Sequence, residues 1–189
     1  NQFDEQDRLL HPTPADAIEY VGHHVDHELV ENIEVDCAAR LARMNGGEPR
    51  RFVLTMGGAG AQRELFKAII DHSRPMIARG ELTLFVNLGD HEENWQWLQG
   101  ELGAGARSVT LHRTWDETRA FADEIREGTA SGLHVFLFDN TFHAVYATNY
   151  LMRVIDVMIT KPSELAFYPI PKIFNERVGA HEAWGAIRS

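Results

Sequence analysis

The sequence predicts a doubly wound α/β fold, with a mostly parallel sheet and helices on both of its faces. Short strand-like runs alternate with helical runs along most of the chain, a pattern that favours parallel βαβ units. Most of the strand-like runs are continuously apolar, which is typical of strands buried on both faces. A glycine-rich turn at residues 56–62 joins a predicted strand to a predicted helix, as in many α/β proteins.

The first helix is predicted over residues 27–45, with Asp26 as its N-cap and Gly46-Gly47 at its end. Apolar side chains recur there every three or four residues, which is the spacing of one helical face. These side chains are Leu29, Ile33, Cys37, Leu41 and Met44. A short apolar run at 18–21 precedes this helix and is compatible with a strand.

Strand–helix alternation follows. Strands are predicted at 51–56, 82–87, 108–112, 134–138 and 157–160. A helix begins near Gln62, and Pro75 either kinks it or forces it to restart. Asp90 with Glu93, and Thr114 with Glu117, have the spacing of capping boxes that open the next two helices. The first of these helices runs to about Leu102, Gly128 ends the second, and a last helix is predicted around 144–155.

The composition limits which kinds of partner and which cellular location we expect. The 189 residues carry 28 acidic and 18 basic side chains, a formal net charge of −10, so we expect no nucleic acid and no membrane contact by this domain. The lone Cys37 fits a reducing compartment, and no apolar run reaches the roughly 18–20 residues of a membrane span. We therefore expect a cytoplasmic location, with peripheral membrane association of a full-length protein left open.

Residues 1–15 are interpreted as a linker or arm and residues 16–189 as one domain. The chain begins at Asn1 without an initiator Met and stops at Ser189 within a predicted helix. We therefore expect it to be part of a longer polypeptide.

The glycine-rich turn is the first candidate site. Residues 57–61 read Gly-Gly-Ala-Gly-Ala, which permits close approach of a ligand to the backbone and a left-handed conformation. The start of the next helix supplies free N–H groups, which suit a phosphate. The turn is not a Walker A motif, and Arg63 stands where a dinucleotide fingerprint needs Gly or Ala. A tight turn that binds nothing is the alternative.

Two later segments add candidates. Lys161 follows the last predicted strand and could neutralise a diphosphate, or it is an ordinary exposed lysine. His181 and Glu182 could bind sugar hydroxyls, or they open a helix beside a buried Trp184. A metal site is not expected there, because adjacent helical residues point apart, nor at His23, His24 and His27, which have no second ligand group.

Taken in order, these segments resemble the C-terminal half of GT-B glycosyltransferases. The group in question contains monogalactosyldiacylglycerol synthases, processive diacylglycerol glucosyltransferases and the undecaprenyl-pyrophosphoryl-muramoyl N-acetylglucosaminyltransferase. Residues 20–26 resemble the entry into that domain, 55–62 its Gly-Gly phosphate loop, and 156–165 its Asp-x-x-Ile-Thr-Lys-Pro-Gly-Gly stretch. Residues 181–186 are similar in spacing to a His-Gln-x-x-Asn-Ala element that reaches the donor sugar.

The resemblance implies a Rossmann-like domain that binds a nucleotide-diphosphate sugar, by expectation a UDP-sugar, for hexosyl transfer to an acceptor such as a lipid. It implies that a separate N-terminal domain binds the acceptor and holds the catalytic base, so no catalytic residue is assigned here. The implied donor-binding residues are Gly57, Gly58, Ala59, Gly60, Gln62, Phe138, Asn140, Thr141, Lys161, Ser163, Glu164, His181 and Glu182. The glycines would line the phosphates, Lys161 the leaving diphosphate, residues 138–141 the base, and His181 and Glu182 the sugar.

The sequence also departs from the family pattern. Ser163-Glu164 replaces the usual Gly-Gly, and Pro169 stands where the family has a Glu that binds the ribose. The chain contains no Asp-x-Asp pair, which fits transfer without a metal or other cofactor. Two alternatives follow: a non-catalytic nucleotide-binding or interaction module of the same fold, favoured by Pro169, and a sugar-nucleotide enzyme such as a UDP-sugar 2-epimerase.

Overall fold

The structure is a computed structural model that describes residues 25–162 and 168–175. These residues form a six-stranded sheet in the order β3-β4-β2-β1-β5-β6, and every neighbouring pair is parallel. The strands are β1 (Arg50–Thr55), β2 (Leu82–Asn87), β3 (Val109–His112), β4 (Gly132–Phe136), β5 (Val157–Thr160) and β6 (Lys172–Phe174). The helices are α1 (His27–Glu31), α2 (Ile33–Gly46), α3 (Arg63–Ala78), α4 (Glu92–Leu102), α5 (Trp115–Glu127) and α6 (Thr141–Met152), with a 3₁₀ segment at Gly103–Ser108.

Two apolar layers enclose the sheet. Val53, Phe85 and Phe136 belong to a buried cluster with side chains of α1, α5 and α6. Their strand neighbours Leu54 and Val86 belong to a second cluster with side chains of α3 and α4. Because successive strand residues face opposite sides, both faces of the sheet are covered, and the predicted doubly wound fold is confirmed.

The central elements agree well with the sequence prediction. β2 and β5 have the predicted bounds, and α3 continues through Pro75 without restarting. β4 begins two residues before its predicted start. β6 is not among the predicted strands, because its three residues are half-buried or exposed and form no continuous apolar run.

One of the two predicted capping boxes is present. Thr114 accepts the Glu117 N–H, and the Glu117 carboxylate accepts N–H groups of Arg113 and Thr114 at the start of α5. The Asp90 capping box is wrong, since α4 begins at Glu92 with His91 as its N-cap and no side-chain cap. The turn after β2 is therefore one residue longer than the pattern indicates.

The predicted helix at 27–45 is interrupted at Asn32 and buries an unexpected face. Asp26 caps it as predicted, and Gly47 ends it at φ +72°. Leu41 and Met44 of the predicted apolar stripe are exposed, whereas Asp36, Arg40 and Arg43 are buried. In α2, therefore, the buried face is charged.

Those charges have partners at the amino end of the sheet. Arg43 donates to one Asp156 carboxylate oxygen through Nε (3.1 Å) and Nη2 (2.8 Å), and the other oxygen accepts the Arg51 backbone N–H at 2.9 Å. Asp36 accepts from Arg153 at 3.0 Å and from the Tyr168 hydroxyl at 2.9 Å. Buried charges are tolerated when they are paired and hydrogen-bonded in this way.

In the part of the chain that the structure describes, no helix has the length and apolar character needed to cross a membrane. The predicted arm at 1–15 and strand at 18–21 lie outside the described residues.

Candidate functional site

The carboxyl ends of β1 and β5 mark the point where the chain connections diverge. The connection after β1 leads to β2 on one side, and β5 is followed by β6 on the other. Open α/β sheets bind ligands at such a topological switch point. Thr55 and Thr160, the last residues of these strands, are buried and share a hydroxyl–hydroxyl hydrogen bond of 2.8 Å. The loops that follow them therefore begin side by side.

The loop after β1 is a tight turn that depends on backbone freedom. The Gly60 N–H donates to the Gly57 carbonyl at 2.9 Å. Gly60 has φ +61°, and Gln62 has φ +72° at the N-cap of α3. A non-glycine residue at positive φ is strained and is often found at functional sites.

α4 holds this turn in place. The buried Asn94 donates from Nδ2 to the Gly60 carbonyl at 2.8 Å. His91 lies 3.3 Å from the Gly57 carbonyl through Nε2, so that nitrogen carries the proton when it bonds the carbonyl. A Cβ on Gly60 would lie 2.8 Å from His91 Nδ1. The turn is therefore packed against α4 and leaves no room for a side chain at position 60.

Lys161 of the loop after β5 lies directly against the glycine turn. A Cβ built on Gly57 would lie 2.6 Å from Lys161 Cε and 3.0 Å from Nζ. A cation from one loop thus approaches the backbone of the other. This brings together two residues that are about a hundred positions apart in the sequence.

A small cavity of about 130 Å³ opens beside this contact. Gly57 and Gly58 line it with backbone atoms, since glycine has no others. Its polar side chains come from the strand ends, from the turn after β2 and from α6, and they are Thr55, Asn87, Asp90, His91, Thr141, Thr148 and Asn149. Asn87 is fixed by hydrogen bonds to the Ala144 carbonyl (3.0 Å) and the Thr148 hydroxyl (2.8 Å).

The start of α6 forms another wall. Thr141 lines the cavity, whereas the Asn140 side chain caps the helix by accepting the His143 N–H at 2.9 Å. Phe138 is buried in the core and packs edge-on against His143. Of the residues at 138–141 predicted near the nucleotide base, therefore, Thr141 lines the cavity, Asn140 caps the helix that forms its wall, and Phe138 lies in the core.

The N-terminus of α3, which is the positive end of the helix dipole, carries the carboxylate of Glu64 in its first turn. Hydrogen bonds from its own backbone N–H and from Arg63 lower the pKa of Glu64. The ion pair to Arg63 measures 3.2 Å. Because a negative charge already stands at this helix start, an anion in the cavity would depend on the glycine turn and Lys161 more than on the dipole of α3.

Pro169 lies at the opposite end of the sheet. Its carbonyl accepts a hydrogen bond from Arg40 at 3.2 Å, and the same guanidinium bonds the Ile155 carbonyl, just before β5 begins. Residues that precede parallel strands lie at their amino ends, away from the glycine turn. Pro169 therefore lies away from the glycine turn and is not among the residues that line the cavity.

The structure thus joins part of the predicted site. Gly57, Gly58 and Thr141 line one cavity, and Lys161 contacts Gly57. Ala59 is exposed on the turn, and Gln62 is the N-cap of α3. Ser163, Glu164, His181 and Glu182 lie outside the described residues.

Sequence reasoning misses the contribution of the turn after β2. Asn87 and His91 line the cavity, and His91 and Asn94 hold the glycine turn. Polar residues directly after a buried strand are the signal that could have identified them, because β2 ends at the same sheet edge as β1. No group of three or more potential metal ligands occurs among residues 25–162 and 168–175.

Comparison with protein-family models matches residues 13–189 to a domain of unknown function, DUF6938. Neither the curated proteins nor the solved structures contain a match to the chain.

Proposed function

The chain belongs to the DUF6938 family, and we propose that it is the donor-binding domain of a glycosyltransferase that uses a nucleotide-diphosphate sugar, by expectation a UDP-sugar. The observation that carries this proposal is the contact between Lys161 and Gly57 beside a cavity lined by glycine backbone. A diphosphate needs both close backbone approach and a cation, and this contact offers both at the switch point of the sheet.

In the proposed reaction, an acceptor hydroxyl attacks the anomeric carbon of the donor sugar. The new bond forms between the acceptor oxygen and that carbon, and the bond from the carbon to the diphosphate oxygen breaks. The hydroxyl proton passes to a base in a separate acceptor domain, and the nucleotide diphosphate leaves. This chain would orient the donor and stabilise the charge that develops on the leaving diphosphate.

The rigidity of the turn supports such a role. Asn94 and His91 restrain Gly60 and Gly57 before any ligand arrives, so little conformational entropy is lost on binding. Gly58 is exposed, with no atom within 4 Å of a Cβ built on it. The ligand would therefore approach over Gly58.

The alternative is a nucleotide-binding or interaction module of the same fold without transfer activity. The feature that favours it is Pro169, which stands where the resembled family has a ribose-binding Glu, although Pro169 lies at the amino end of the sheet. Activity of the chain together with an acceptor domain would distinguish the two.

A thermal-shift panel with UDP, GDP, ADP, dTDP, their sugar conjugates and NAD tests the proposal. A ligand at about 100 times its Kd adds about 2.7 kcal/mol of stability, or roughly 5–10 °C for a chain of this size. We expect one nucleotide diphosphate to stabilise selectively. A flat panel on folded protein would contradict donor binding.

Lys161→Ala refines this test. We expect it to weaken binding of the nucleotide diphosphate by at least tenfold, and of the monophosphate and nucleoside much less. Lys67→Ala on α3, where Lys67 pairs with Asp71 at 2.6 Å, is the charge-matched control. Equal losses for all three ligands would remove Lys161 from the phosphate site.

A further inference from the structure

A larger cavity of about 810 Å³ adjoins the cavity of about 130 Å³ at the glycine turn. The smaller one is called the donor cavity below, after the proposed function. It lies between α1, the start of α5 and the length of α6. Its volume falls in the range of small-molecule binding pockets. Thr141, Val145 and Asn149 line both cavities, so the two share a wall.

Aromatic side chains dominate one side of the larger cavity. The Trp115 ring lies 6.2 Å from the Tyr146 ring and 5.5 Å from the Tyr150 ring. Tyr146 is 54% exposed and Phe142 is 73% exposed. Aromatic surfaces of this kind, apolar but with polar edges, suit a ligand that has both apolar faces and hydroxyl groups.

Asn149 adds a specific polar requirement. Its Oδ1 atom is buried and has no hydrogen-bond partner in the described part of the chain. A buried amide oxygen without a partner is unfavourable, and Asn149 is one of the residues that line both cavities. An acyl chain cannot satisfy it. A hydroxyl group can, because it both donates and accepts hydrogen bonds.

We propose that this cavity binds the acceptor, and that the acceptor presents a glycosyl ring rather than a bare acyl chain. The ring would stack on Tyr146 and Trp115 and place a hydroxyl at Asn149, next to the donor cavity. This inference rests on the proposed function, since an acceptor hydroxyl must lie close to the donor sugar. It adds that part of the acceptor contacts come from this chain.

The test uses methyl β-glucopyranoside and methyl β-galactopyranoside as probes, with 1-hexanol as an apolar comparison. Binding is followed by the Trp115 indole N–H signal in NMR spectra, assigned with Trp115→Phe among the four tryptophans. We expect a glycoside to shift this signal with a millimolar Kd. Tyr146→Ala should weaken binding at least fivefold, whereas Leu41→Ala, at a similarly exposed apolar position on α2, should not.

Asn149→Leu provides the second variant. Because it removes an unpaired oxygen, the melting temperature should stay the same or rise, while glycoside binding weakens at least fivefold. A shift of the Trp115 signal by 1-hexanol alone, unchanged glycoside binding in both variants, or no shift by either glycoside would overturn the proposal.

The same samples separate this inference from the proposed function. Tyr146 lines only the larger cavity, so Tyr146→Ala should keep the nucleotide stabilisation. If nucleotides bind and glycosides do not, only the acceptor inference fails. If glycosides bind and nucleotides do not, the donor-binding proposal fails and the cavity is a carbohydrate site of another kind.

Discussion

The hydroxyl of Thr55 lies 2.8 Å from the hydroxyl of Thr160, where both side chains are buried at the ends of neighbouring strands. This hydrogen bond joins the ends of β1 and β5. Gly57 lies two residues after Thr55, and Lys161 directly follows Thr160. The candidate phosphate site therefore depends on the pairing of β1 with β5, and its geometry can be tested one residue at a time.

Gly58→Val should abolish nucleotide-diphosphate binding without unfolding the domain. No atom lies within 4 Å of a Cβ at this position, so the side chain fits the fold but occupies the space that the ligand needs. Calorimetric titration and melting temperature measure the two effects. Gly46→Val, where a Cβ likewise meets nothing within 4 Å, is the matched control. Unchanged affinity in Gly58→Val would mean that the loop is only a turn.

Asn94→Ala should loosen the glycine turn. It removes the 2.8 Å hydrogen bond to the Gly60 carbonyl and should cost about 1 kcal/mol of unfolding free energy, because a partly buried acceptor loses its donor. Nucleotide affinity should fall as well. Urea denaturation measures the first effect and titration the second. Gln96→Ala, at an exposed position of the same helix, should change neither, and wild-type affinity in Asn94→Ala would show that the turn needs no restraint.

Two histidines in the core predict loss of stability in mild acid. His134 Nε2 bonds the Ser131 carbonyl at 3.0 Å and must carry a proton there, so His134 Nδ1 accepts from His112 Nε2 at 3.1 Å. Burial, with the neighbouring His134 second, lowers the pKa of His112 from 6.5 to about 4, and burial lowers the pKa of His134 as well. Both rings therefore remain neutral in the folded protein at neutral pH.

Acid lowers the stability because the unfolded chain binds protons that the folded protein does not. Well above pH 6.5 these histidines are neutral in both states, and their contribution to stability is complete. Between about pH 6.5 and 4 the unfolded chain binds more protons, so the unfolding free energy should fall by roughly 3 kcal/mol for His112 alone. Denaturation at pH 7.5, 6 and 5 measures this slope. His112→Phe should flatten it and His72→Gln, an exposed histidine on α3, should not; an equal slope in His112→Phe would exclude His112 as its source.

Asp156→Asn should destabilise the domain by about 3–5 kcal/mol, because it leaves the buried Arg43 without its charge partner. The two side chains are only 8% and 2% exposed at a separation of 2.8 Å. Glu81→Gln breaks a pair to Arg79 with the same 2.8 Å separation but more than half exposed, and it should cost less than about 1 kcal/mol. Chemical denaturation compares the two, and similar losses would show that burial does not strengthen the Arg43–Asp156 pair.

Local patterns in the sequence determine the α/β class, the bounds of β2 and β5, and the capping box at Thr114. The continuous apolar runs indicate strands buried on both faces, and Thr114 and Glu117 satisfy each other within one helical turn. The glycines at 57, 58 and 60 likewise indicate a close turn, because the ability to adopt a positive φ belongs to the glycine residue itself and does not depend on distant partners. These features are predictable because the interacting groups are near one another along the chain.

Only the tertiary structure decides which distant residues meet. The spacing of Leu41 and Met44 indicates a buried stripe, yet α2 buries Asp36 and Arg43. Their charges are paired with Arg153, Tyr168 and Asp156, which lie more than a hundred residues later in the chain. In the same way, the strand order puts Lys161 against Gly57 and the turn after β2 against the glycine turn. A buried charge is stable only with its partner, and a site at a sheet edge exists only once its strands are neighbours, so neither can be read from local spacing.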